Sequence, residues 1–168
     1  MMSVQQQALE LVRRAERIGQ RGQVIPPSDL ADLTRDLGVS IPAWLFELLT
    51  TVPLAGLEFG WQEDAERGLD GVAWLIWSDA RNIRSESLEC YPGRAILPMG
   101  YICVASCSAG SGDPYFITIE DGDDPPLYRI YHDVSDHADA ILDGAKHLVV
   151  PSLSAFFREA KLSGEGAA

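Results

Sequence analysis

The chain has 168 residues, 46% of them apolar, three cysteines, and a net charge of −12 from 25 acidic and 13 basic side chains. That length favours one domain, or one domain with a short N-terminal extension, burying roughly two-thirds of its unfolded surface without a metal or disulfide staple. The negative balance repels nucleic acid phosphates; no apolar run approaches the ~20 residues of a membrane span and no basic-then-apolar leader opens the chain, so a soluble cytoplasmic protein is expected.

Residues 4–20 read as a helix, because Val4, Ala8, Leu11, Ala15 and Ile18 recur at helical spacing while Arg13, Arg14 and Arg17 fall elsewhere. Ile25-Pro26-Pro27 breaks it. Ser28 then reads as the N-cap of a second helix with Leu30, Leu33 and Leu37 as its apolar stripe and Gly38 as its stop. Pro42 opens a third helix, whose buried face holds Trp44, Leu45, Leu48, Leu49 and Val52.

The period then changes. Leu57–Trp61 reads as a short strand, residues 62–71 as an acidic surface loop, and Val72–Trp77 as a strand apolar on both parities. Such a strand is covered on both faces or meets a partner with its outer one. Residues 78–94 read as polar and irregular, with at most one helical turn. Strands follow at Tyr101–Cys107, Tyr115–Ile119 and Leu127–Tyr131, the last two joined by a hairpin across Glu120–Pro126. Helical character returns after Asp133. Ser152 caps a final helix, with Leu153, Phe156, Phe157 and Ala160 facing the core. Helices, then closely spaced strands, then a helix predict an α+β fold with a mainly antiparallel sheet of about five strands flanked by helices.

Several residue groups are candidates for chemistry. Gly110-Ser111-Gly112-Asp113 reads as a tight turn, since no lysine follows to make a phosphate cradle. Ser106, Ser108 and Ser111 lack a nucleophile elbow. His132 and His137 sit five positions apart among Asp133 and Asp136, but the spacing is not a recognised zinc pattern, so a structural role in packing or capping is expected. Cys103 and Cys107 share a face at either period, and read as small buried apolar residues of a reducing compartment. No catalytic residue, metal site or cofactor is expected. Three of the four tryptophans should be core; Trp74 and Trp77 point to opposite faces, and one of them is a candidate interface anchor.

Charge is unevenly spread. Residues 1–35 carry five arginines against four acids, whereas residues 113–143 carry nine acids against Arg129 alone. Glu120, Asp121, Asp123 and Asp124 pack four carboxylates into the hairpin tip, where the two following prolines replace the continuation a calcium loop requires. They read as solvated turn chemistry or as an acidic knob for a basic partner.

An ordered set of phrases adds to this reading. Leu37-Gly38-Val39-Ser40-Ile41-Pro42 leads into Ala43–Leu49; Ala95–Gly100, Gly110–Phe116, Leu127–Asp133 and Val150–Phe157 follow in turn. In this order, over roughly residues 28–160, the chain resembles the SUKH superfamily, which includes the yeast Smi/Knr cell-wall regulator and many bacterial immunity proteins. The resemblance implies an α+β domain over 28–162; the residues themselves read as an N-terminal helix and linker before it (1–27) and a flexible tail after it (163–168). It implies a Gly-Asp pair, here Gly112-Asp113, leading into a core strand, and no shared catalytic set. It also implies protein binding: bacterial members often neutralise toxins, commonly nucleases, while eukaryotic members resemble regulatory scaffolds. The leading expectation is an immunity protein that occludes a basic toxin domain, with Glu120, Asp121, Asp123 and Asp124 steering it and Trp77 as anchor. An intracellular regulatory or scaffold module is the second expectation, an enzyme a distant third.

Overall fold

The computed structural model describes residues 1–63 and 71–166, so most of the loop expected over 62–71, and the last two residues of the expected tail, lie outside the described residues. Helix α1 spans Val4–Arg17 and opens with a reciprocal capping box, in which Ser3 accepts from the Gln6 N–H and the Gln6 side chain accepts from the Ser3 N–H. Helix α2 spans Pro27–Leu37. Its N-cap position is Pro26, with Pro27 the first helical residue, so Ser28 lies inside the helix and caps nothing. Gly38 ends it at φ 67°, in the left-handed region that glycine enters without strain. Helix α3 spans Ala43–Thr51 behind Pro42.

Strands β1 (Glu58–Gln62), β2 (Val72–Trp77), β3 (Tyr101–Cys107), β4 (Pro114–Thr118), β5 (Leu127–Ile130) and β6 (Lys146–Val150) form one sheet, ordered as in the chain and antiparallel throughout. The fold is therefore α+β, as expected, with six strands among the described residues where about five were expected. The sixth, β6, lies where only helical character was expected. Between β2 and β3 the chain forms α4 (Ala80–Leu88) and the short α5 (Gly93–Ile96). The Asp79 carboxylate caps α4 by accepting from the Asn82 N–H, 2.8 Å. A polar helix that buries only Ile83 and Ser87 leaves little apolar period to read, which is why this stretch looks irregular in sequence. Helix α6 (Ala138–Gly144) links β5 to β6, and α7 (Leu153–Glu159) follows, capped by Ser152.

The main core lies between one sheet face and α1, α2, α3 and α7, so the N-terminal helix shares a core with the residues after 27. Phe156 links α7 to β1 within it: its ring meets Phe59 edge-on at 6.2 Å, stacks on Trp61 at 5.5 Å and meets Phe157 at 5.7 Å. A second, smaller cluster on the other face joins Ile96, Cys103, Phe116, Ile130, Ile141 and Ala145 beneath α5 and α6. The register of β3 on β4 shifts between Cys103 and Ala105. This bulge inverts side-chain parity, so Cys103 joins the second cluster while Cys107 packs against the main core. The two thiols do not share a face, contrary to their spacing of four.

Past α7 the chain doubles back. Lys161 and Gly60 exchange backbone hydrogen bonds of 2.7 and 2.8 Å. Glu165 then accepts from Arg14 Nε at 2.7 Å, and the Gln20 amide donates to the Ser163 carbonyl at 2.9 Å. Ser163 and Glu165 are thus tied to α1 and the turn after it, where the composition suggested a loose tail.

Candidate protein-docking surface

The hairpin between β4 and β5 presents the acidic cluster. Glu120, Asp121 and Asp123 are exposed, and among the described residues no ion pair or hydrogen bond engages their carboxylates. The nearby cations have other partners, although Lys146 also feels Asp121. Arg129, the one basic residue of 113–143, is committed to Glu63 at 2.9 Å, where the curl of the sheet brings the end of β1 over β5. Lys146 donates to the Tyr101 hydroxyl at 3.0 Å and lies 4.7 Å from the centroid of the Tyr128 ring. The Tyr101 hydrogen bond, then the nearby phenols and Asp121, hold the Lys146 ammonium above its ordinary pKa. Burial raises the Tyr128 phenol, partly offset by Lys146.

Asp124 has a different task. It is half-buried, and its carboxylate accepts from the Ser154 N–H at 2.8 Å and from the Ser154 hydroxyl. Ser154 is the second residue of α7, so Asp124 satisfies one of the open N–H groups at that helix start and sets a negative charge against its dipole. Pro125 adds a backbone bond by accepting from the Leu153 N–H at 2.9 Å. The tip is therefore pinned to α7 through its fourth acid and free at the other three. Asp124→Ala should lower unfolding free energy by about 1–2 kcal/mol, the usual cost of losing a helix-start acceptor, whereas Asp123→Asn should leave it within about 0.5 kcal/mol; urea denaturation of both variants measures the contrast. Asp123 and Asp124 also border a cleft of about 490 Å³, shared with Glu47, Trp44 and the start of α1.

Trp77 cannot serve as an anchor. It is 1% exposed and packs on Phe157, ring centroids 5.3 Å apart. The β2 residues of the opposite parity face out instead: Ile76 is 40% exposed, and Trp74 lies across Gly60 of β1, where an added Cβ would stand 2.9 Å from its ring. Trp74 and Ile76 belong to neither apolar cluster. Three of the four tryptophans join the main core, as expected: Trp77 is fully buried, and Trp44 and Trp61 are half-buried against it. An indole is large enough that complete burial is uncommon.

The histidine candidates separate. His132 donates through its N–H and its ring Nδ1 to Asp113 Oδ1, at 3.2 and 2.9 Å, and its ring rests on Gly112. Gly112 takes φ 76° in a turn leading into β4. His137 sits at the start of α6, beside Asp136. Among the described residues, no three His, Cys, Asp or Glu side chains converge to hold a metal ion. The Asp113 hydrogen bond raises the His132 pKa above the ordinary imidazole value. A raised folded-state pKa means that this pair's stabilisation is complete below the unfolded value of about 6.5. It is lost as pH rises through the folded one. An NMR titration should place His132 above that ordinary value, and Asp113→Asn should bring it down.

The thiols also differ: burial pushes Cys103 far up, while at Cys107 hydrogen bonds from Ser111 and neighbouring N–H groups outweigh burial and bring it down. No helix among the described residues is long and apolar enough to cross a membrane. No family model matches the chain, and searches of curated proteins and of solved structures return no match.

Proposed function

We propose that this chain is a non-catalytic protein-binding domain that neutralises a basic protein through its acidic hairpin, as immunity proteins of the SUKH type it resembles neutralise toxins. The observation that carries this reading is the trio Glu120, Asp121 and Asp123, exposed and without a direct ion pair among the described residues, in a segment whose only basic residue is committed to Glu63. Charges with no direct ion pair keep most of their field for an incoming one, although Lys146 offsets part of that of Asp121. A nuclease domain suits such a field, because its substrate groove must be basic to hold phosphates. Covering that groove inactivates the toxin with no chemistry on the part of this chain.

The test uses the wild-type chain and the variant E120Q/D121N/D123N as paired baits at low ionic strength. The wild type should retain a basic protein that the variant loses and that moderate salt releases. Expressed alone, that protein should arrest growth, and co-expression of the wild-type chain should restore it. A retained partner that is harmless would point to a regulatory scaffold. A partner held equally by both baits would remove the hairpin from the interface.

A further inference from the structure

We propose that the outer edge of β6 receives an extended, Lys/Arg-bearing segment of the partner as a seventh strand. This inference rests on the acidic-surface reading above and adds how the partner is held.

The two edges of the sheet are treated differently. The β1 edge is occupied, since Gly60 pairs with Lys161 and the Lys161 ammonium donates to the Gln62 side chain at 2.6 Å. The β6 edge is open: among the described residues, no backbone hydrogen bond joins Lys146–Val149 to anything but β5. A strand edge with unpaired N–H and C=O groups is a template for another strand. Bulges and outward lysines commonly guard such edges. Here Leu127 faces Val150 and Tyr128 faces Leu148, so the bulge falls at Val149 and leaves Lys146–Leu148 in regular register. The one lysine does not guard the edge, because its ammonium is held by Tyr101 and Tyr128. Leu148 is 51% exposed and offers apolar contact beside Tyr128.

Charge selects the occupant. Exposed Asp139 and Asp143 on α6 precede the strand. At the hairpin end, Asp121 lies close enough to Lys146 and Tyr128 to act electrostatically on both. A second copy pairing along β6 would bring these acids against themselves, on chains of −12 each. A basic segment relieves the same crowding.

The experiment uses the isotopically labelled full chain with three short capped peptides at low ionic strength. These are an alternating Lys–Val peptide, a twin N-methylated at every central amide, and an alternating Glu–Val peptide. The Lys–Val peptide should slow amide exchange within Lys146–Leu148 and bind at least about ten-fold tighter than its twin, a difference of about 1.4 kcal/mol. The Glu–Val peptide should not bind. Equal binding by the N-methylated twin would overturn strand addition while leaving the acidic-surface reading standing. Failure of both basic peptides to bind would sink the two together. Protection of the β6 amides in the free chain, with a dimer in solution, would overturn the inference in favour of a second copy.

Discussion

Phe156→Ala should lower the unfolding free energy by about 3–5 kcal/mol, the range for deleting a fully buried aromatic ring. Phe156 is 0% exposed, and its ring is shared by Phe59 and Trp61 of β1 and by Phe157 beside it. The hole would be walled by aromatic rings on two elements, which close poorly over a void. Helix α7 cannot easily slide to fill it. Its start is held by Asp124 and Pro125, and the chain just beyond its end by the pairing of Lys161 with Gly60. Phe156→Leu, which keeps most of the volume, should lose clearly less. Chemical denaturation of both variants checks this; a loss below about 1 kcal/mol for the alanine variant would mean that β1 and α7 do not share a core.

The second large effect concerns association. The variant E120Q/D121N/D123N should bind a basic partner about 10-fold or more slowly at low ionic strength, within the 10–10³ range over which charge steers encounter. Its dissociation rate should change much less, since exposed charges act mainly at long range. Asp124 is left in place because its carboxylate caps α7; including it would mix a folding defect with a binding defect. Stability of the triple variant should stay within about 0.5 kcal/mol of wild type, as expected for surface positions without partners.

These expectations show where sequence patterns were sufficient. The range of β2 was legible as an unbroken apolar run, and the core face of α7 because its apolar residues repeat at the helical period behind the cap Ser152. The acidic tip was legible because four carboxylates and two prolines occupy seven residues. Other features depend on distant contacts. Asp124 reads as one more charge until α7 brings Ser154, thirty positions away in the chain, into hydrogen-bond range. Cys103 and Cys107 part company through a bulge that no local residue announces. β6 is only five residues long, and its one regular stretch contains a lysine and a histidine, so it carries no alternating signal of its own.

The choice between Trp74 and Trp77 shows the limit most clearly. Alternation placed them on opposite faces but not which face was inside. Leu75 and Trp77 face Phe59, Cys107 and Ala105 across the ladder and share the main core. The other parity sets Trp74 opposite Gly60 and Ile76 opposite Glu58 and Ser106, none of which offers an apolar side chain to bury against. The clue lay in the neighbouring strands, and it becomes usable only once their register is known.

The claim that unpaired acids of the hairpin recruit the partner is tested most directly by stopped-flow association with that partner, for wild type and E120Q/D121N/D123N, across a range of ionic strength. The wild-type rate should fall steeply as salt shortens the Debye length from about 30 Å at 0.01 M to about 8 Å at 0.15 M. The variant should start slower and respond less, so that the two curves converge at high salt. Superimposable curves would contradict the account and move the search to the outward face of β2, at Trp74 and Ile76.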